Sequence, residues 1–229
     1  VIYPVVLLDN AVGKFYVPDI AKDPIYKVLS KGKVYQKPIV DEFASLVRAG
    51  SIAVDMGANF GQMSVALAKL GAKVYAFEAD EFLASVTKQN LELNEITDSV
   101  VINSAVWDVS DVLLPFPEAN FDKFDSLGSF GIDLSSTSGR MVKSVALDDL
   151  GLEDVSVIKV DVQGADLRAM WGSVDTIKRC RPAIIFEYER LFDADFNVTS
   201  RDYKEFIDHI GYKRTKEICS DNYLIEPCV

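Results

Sequence analysis

From Ser51 to the C-terminus, short unbroken apolar runs alternate with segments whose apolar residues recur at helical spacing. Few folds accommodate that pattern. Ile52-Ala53-Val54, Val74-Tyr75-Ala76-Phe77, Val100-Val101-Ile102, Val157-Ile158-Lys159-Val160 and Ala183-Ile184-Ile185-Phe186 read as strands. Between them Gln62 to Leu70, Glu81 to Leu93, Ala165 to Trp171 and Arg201 to Ile210 read as helices. Gly71 closes the first helix, and Asp80 is placed to cap the second. Two strand-like pieces, Tyr212 to Thr215 and Tyr223 to Ile225, end the pattern. A strand is apolar throughout only if both its faces are covered, so the pattern predicts an α/β fold with a doubly wound, mostly parallel sheet.

The first 50 residues read differently, as a lead-in to a domain spanning 51–229. Val5 to Leu8 and Lys14 to Val17 are short strands about a turn, and Pro24 suits the first position of a short helix opened by Asp23. Apolar spacing predicts a second helix over Ile39 to Val47, closed by Gly50. Between Phe116 and Arg140 neither period holds, and so long an irregular stretch predicts a lid or binding segment.

Charge and residue counts remove several functions. Acidic residues outnumber basic ones 35 to 24, a net charge of −11, which repels phosphate backbones and anionic membranes. Lys27, Lys31, Lys33 and Lys37 are interspersed with acids rather than forming a basic patch, so no nucleic-acid partner is expected. No run approaches a membrane span or a basic-then-apolar leader, and the cytoplasm is the expected compartment. His209 is the single histidine, which argues against a histidine-rich metal site or a Ser-His-Asp triad; late in a helix, it reads as structural or exposed. Cys180, Cys219 and Cys228 read as thiols, with a Cys219–Cys228 clip as the alternative. Trp107, Trp171 and the phenylalanines of 116–130 read as core, with an aromatic sugar platform in that segment the lesser reading.

Asp55-Met56-Gly57-Ala58-Asn59-Phe60-Gly61 joins the first strand of the repeating unit to its helix, where ligands of doubly wound sheets bind. Gly57 and Gly61 permit close backbone approach. The spacing is not that of a dinucleotide site, and Asp55 would repel a pyrophosphate while attracting a sulfonium or ammonium. Glu78 closes the next strand, where a carboxylate can accept both ribose hydroxyls. Together these read as a site for S-adenosylmethionine.

The turn Val54 to Ser64, Phe77-Glu78-Ala79, Ala146-Leu147-Asp148-Asp149-Leu150, Ile158-Lys159-Val160-Asp161-Val162-Gln163-Gly164-Ala165-Asp166 and the final Asn222-Tyr223-Leu224 resemble FkbM-type methyltransferases. The resemblance covers about residues 40–229 and departs at Gln163 and Asp166, where the family usually has glutamates. It implies a class I methyltransferase fold, Rossmann-like, with an antiparallel C-terminal strand behind a small N-terminal cap. It also implies O-methylation of a hydroxyl on a sugar, glycan or related natural product. By position, Asp55, Gly57, Asn59, Gly61 and Ser64, with Ala58 in the same turn, would surround the methionine moiety. Glu78, followed by Ala79, would hold the ribose, and Asn103, Ser104 and Ala105 would flank the adenine.

An alcohol is a poor nucleophile, so a base or electrostatic helper is expected. Asp161, at the end of the fourth strand and within reach of the cofactor, is the first choice. Lys159 shares its strand face and either stabilises a developing alkoxide or pairs with Asp161; Glu187 is the second candidate base. Tyr188 and Glu189 are placed to touch substrate. Asp148 and Asp149 read as a turn or cap rather than metal ligands, and no metal is expected. The rivals are a nicotinamide-dependent reductase on the same fold and a cofactor-binding module without catalysis. Homo-oligomerisation is left open.

Overall fold

The computed structural model describes residues 3–117, 126, 128, 130–136 and 139–228. The lead-in forms a hairpin, β1 (Val5–Asp9) and β2 (Lys14–Pro18), then helices α1 (Pro24–Leu29) and α2 (Lys37–Leu46). The repeating part begins with β3 (Ile52–Met56), α3 (Gln62–Lys69), β4 (Lys73–Phe77), α4 (Glu81–Leu93) and β5 (Val100–Ile102). Three strands follow, β6 (Ala105–Val106), β7 (Leu113–Phe116) and β8 (Arg140–Val145). The chain continues through β9 (Val155–Val160), α5 (Asp166–Trp171), α6 (Val174–Cys180) and β10 (Ala183–Glu187). It closes with α7 (Asp193–Phe196), α8 (Ser200–Ile210), β11 (Tyr212–Cys219) and β12 (Asn222–Pro227).

The central sheet runs β11-β12-β10-β9-β3-β4-β5. Strands β10, β9, β3, β4 and β5 are parallel, and β12 is antiparallel to both its neighbours. Alternate residues of each strand enter different cores, which is why the strands read as unbroken apolar runs. Ala53, Val157 and Ile185 pack with Ile39, Phe43 and Leu67 on one face. Val54, Ile158 and Ile184 pack with Met170, Ile177 and Phe206 on the other. Strand order reverses about β3, so the cleft lies beyond the C-terminal ends of β3 and β9.

Asp80 caps α4 through a 2.9 Å bond from Leu83 N, and Asp23 caps α1 through Tyr26 N at 2.7 Å. The Asp148-Asp149 pair forms a 3₁₀ turn over Leu147–Leu150. The Asp148 carboxylate then accepts from Asp175 N at 2.9 Å and Thr176 N at 2.7 Å, capping α6. Asn90, fully buried, bonds both backbone groups of Tyr16 and the carbonyl of Phe60, fastening the hairpin to the turn after β3.

Several expectations are corrected. Gly50 does not close α2; Val47, extended, ends it, and Gly50 N donates to Gly71 O in the turn after α3. Helix α6 has too few residues to show a period, and Pro115 masks β7, which pairs with β8 in a separate three-stranded sheet with β6. Trp171 is not core: it is 41% exposed, edge-on to Phe206 and beside His209. Trp107, Phe116 and Phe130 are buried, whereas Phe121 and Phe124 of the suggested aromatic platform lie outside the described residues. The three cysteines are free. Antiparallel pairing puts Cys219 opposite Asn222 and carries Cys228 to the other end of the hairpin, which removes the clip.

Candidate active site

The cleft holds a cavity of about 540 Å³. Its floor is the stretch Gly57 to Phe60 of the turn after β3, in which Gly57, Asn59 and, behind the floor, Gly61 all take positive φ. The N–H groups of Gly57 and Ala58 both donate to Phe77 O at 2.9 Å, which folds the turn back over β4. Gly57 is required for a reason other than ligand space. An added Cβ would stand 1.8 Å from Asp161 O, so any side chain pushes apart β3 and the end of β9. Gly57→Val is therefore expected to lower the melting temperature as well as to lose cofactor binding; a melting temperature equal to wild type would contradict it.

The residues singled out from sequence divide into two shells. Gly57, Ala58, Asn59, Glu78, Ala79, Ser104 and Ala105 line the cavity on the β3–β4 side. Lys159, Asp161 and Glu187 line it on the β9–β10 side. Asp55, Gly61, Ser64 and Asn103 stand behind that wall. Asp55 is fully buried, accepts from Ser64 Oγ at 2.6 Å through Oδ2, and leaves Oδ1 without a partner. Burial raises its pKa, against the opposing pull of Lys159 and Ser64. Asn103 clips the loop after β4 by donating to Glu78 O and Ala79 O rather than facing the cavity. His209 is outside the cavity, 3.0 Å from Lys178 Nζ. Tyr188 is held against Asp193, while Glu189 does line the wall.

Glu78 is set in place by two backbone donors, Asn59 N to Oε2 and Asp80 N to Oε1, both at 2.8 Å. Burial pushes its pKa up to about 7, with those two N–H groups opposing. A diol that donates to the ionised carboxylate must then bind more tightly as pH rises through 7, because binding favours the charged form. S-adenosylhomocysteine affinity is therefore expected to rise from pH 6 to 8. Glu78→Ala removes charge-assisted bonds worth about 1.5–3 kcal/mol, so affinity falls at least about tenfold and the pH dependence flattens. Calorimetry across that range checks both; unchanged binding would show the wrong carboxylate is named.

On the other side, Lys159 is 2% exposed, and its Nζ lies 3.0 Å from Asp161 Oδ2. Strand register sets it directly opposite Asp55. Burial works against its charge, but Asp161 and Asp55 outweigh burial and raise its pKa, so it remains a cation. Gln163, with φ +55°, reaches back to donate to Asp161 Oδ1 at 3.2 Å and Glu187 Oε2 at 3.4 Å. Asn222 Nδ2 supports Glu187 Oε1 at 3.3 Å. Burial pushes Glu187 up to about 10, with Asp161 adding to the rise. Asp161 is lowered despite burial, through Lys159 and a hydrogen bond from Glu187. The pair thus carries one proton, on Glu187, and one negative charge, on Asp161.

Sequence reasoning missed the part the lead-in plays. Ile25, Tyr35 and Gln36 line the cavity, and Gln62 clamps Tyr35 in place from the start of α3. Gln62 Oε1 accepts from Tyr35 N at 3.1 Å, while Gln62 Nε2 donates to Tyr35 O at 2.8 Å. A buried glutamine at a helix start is a weak signal, and nothing near Tyr35 shows a period. Phe130, Gly131 and Ile132 also line the cavity, in the stretch expected to hold a binding segment.

A doubly wound sheet with this turn and an acid at the end of β4 defines the class I methyltransferase fold. Residues 55–214 match the family model of the methyltransferase FkbM domain, and the chain belongs to that family. A methyltransferase FkbM from Methylobacillus flagellatus KT superposes with TM-score 0.54 at 16% identity, covering 82% of this chain and 50% of that one. The magnesium protoporphyrin IX methyltransferase of Synechocystis PCC 6803, solved with bound S-adenosylmethionine, superposes with TM-score 0.52 at 11% identity, covering 84% and 78%. Both likenesses are of fold. The ribosomal protein L11 methyltransferase of Oceanobacillus iheyensis is 30% identical over 127 residues, 50% of this chain and 40% of the relative. The chain thus spans less than half the length of that relative. The cofactor is S-adenosylmethionine, and the residues present fit it: an acid for a diol, a tight turn for close approach, and the orphaned Asp55 Oδ1 beneath it for positive charge.

Proposed function

We propose that the protein methylates a hydroxyl of a sugar, glycan or related natural product. The observation that carries this reading is the Asp161 carboxylate, held ionised by Lys159 in the cavity wall beside the cofactor turn. S-adenosylmethionine supplies an electrophilic methyl, whose carbon–sulfur electron pair remains on sulfur as the new carbon–oxygen bond forms. Asp161 accepts a hydrogen bond from the acceptor hydroxyl and so orients its lone pair. Because its pKa is depressed, Asp161 is a weak base, and it takes the proton late, when bond formation has made the oxygen strongly acidic. Alignment by these fixed groups can supply about 7–11 kcal/mol of the barrier reduction. Glu187, protonated, and Gln163 hold Asp161 in position.

The second reading, a protein acceptor, has the likeness to ribosomal protein L11 methyltransferases on its side. Calorimetry with S-adenosylhomocysteine and NADH, then transfer of labelled methyl to a sugar panel and to ribosomal protein L11, separates these readings. Binding of S-adenosylhomocysteine alone and an ether product on a sugar are expected. NADH binding would favour a reductase, and labelled L11 would move the acceptor to protein.

A further inference from the structure

We propose that the acceptor carries an ammonium group beside the hydroxyl that is methylated, as amino sugars and amino alcohols do. This rests on the assignment of the cavity's two halves above. In the sheet, β10 lies beyond β9 from β3, so Glu187 and the residues after it face the half away from the cofactor turn. That half is acidic. Asp161 and Glu189 line it as carboxylates beside the protonated Glu187, and Lys159 is the single cationic residue lining the cavity among the described residues. Lys159 is already committed to Asp161 and stands opposite Asp55.

Glu189 is the informative residue. Its carboxylate makes no hydrogen bond or ion pair among the described residues, although it sits at a cavity wall with Leu191 and Phe192. Its pKa is raised by burial and then by Asp221 and Asp161, the signature of an acid in a negative field without a cation of its own. Tyr35, which lines the same cavity, also meets the field of Asp161. An anionic acceptor would meet like charge on entry, at a cost that selects against it. A neutral sugar would leave Glu189 unpaired. An ammonium pairs with Glu189 while the neighbouring hydroxyl reaches Asp161.

The test uses the full chain saturated with S-adenosylhomocysteine and three matched probes: glucosamine, glucose and glucuronate. Affinities are read by calorimetry at low salt. Glucosamine is expected to bind about tenfold more tightly than glucuronate, with glucose between them, and salt should shrink the difference. Glu189→Gln should reduce the glucosamine-to-glucose ratio about threefold or more, and Glu189→Asp should restore part of it. Equal affinities, preference for glucuronate, or binding of none of the three would overturn the inference. So would a ratio unchanged in Glu189→Gln. S-adenosylhomocysteine binding is measured first in each sample. Its loss in wild-type protein would remove the site assignment itself, whereas its retention confines a failure to the acceptor inference.

Discussion

Asp161→Asn should lower methyl transfer by about 10²–10⁴-fold while S-adenosylhomocysteine affinity changes only a few-fold. The substitution keeps the shape that Gln163 and Glu187 grip but removes the negative charge that orients and finally deprotonates the hydroxyl. The cofactor keeps Glu78 and the turn from Gly57, so its binding is largely spared. The pH profile adds a second check. With the Asp161 pKa below the ordinary carboxylate range, wild-type turnover should be flat from weakly acidic to weakly alkaline pH, with its acidic limb at low pH. Loss of the proton from Glu187, near 10, sets two carboxylates against each other, so an alkaline decline is expected there and should vanish in Glu187→Gln. Turnover within threefold of wild type in Asp161→Asn would leave alignment as the whole mechanism. Cofactor binding lost in step with turnover would make Asp161 a donor-site residue and move the acceptor chemistry to Glu187.

The parts legible in sequence were those written in local terms. Strands β3, β4, β5, β9 and β10 showed because two packed cores demand apolar residues on both faces. Helix α4 showed because its thirteen residues carry a full period and an aspartate cap. Glu78 was singled out because strand ends in this fold point at ligands, and it does line the cavity. What could not be read depends on distance in space. Tyr35 belongs to the wall only because Gln62, 27 residues later, bonds both its backbone groups. The requirement for Gly57 comes from Asp161 O, a contact between strands that no spacing encodes. Gln163 looked like a lost carboxylate; in three dimensions its amide bridges Asp161 and Glu187, a bond a carboxylate in its ionised form could not donate.

Lys159→Met should destabilise the fold by about 3–5 kcal/mol at pH 7.5, the cost of leaving buried charge without its partner. Methionine matches the apolar stem, so the loss isolates the ammonium. Lys159 sits 2% exposed, opposite Asp55 in the β3–β9 register and 3.0 Å from Asp161. Without it Asp55 keeps Ser64 as its hydrogen-bond partner, and Oδ1 remains unpaired. The pKa of Asp55, already raised by burial, must rise further in the variant. A carboxyl whose folded pKa exceeds its unfolded value opposes folding above that unfolded value, and the penalty shrinks as pH falls through the folded pKa. The destabilisation should therefore be smaller at pH 5 than at pH 7.5, and Asp55→Asn in the same chain should recover part of it. Urea unfolding of the three proteins at both pH values reads these differences. A loss below about 1 kcal/mol would place the pair among exposed salt bridges, whose removal costs little. A loss that grew on acidification would mean the dominant orphan is not a carboxylate, and the link between the sheet's buried cation and the ionised Asp161 would fail with it.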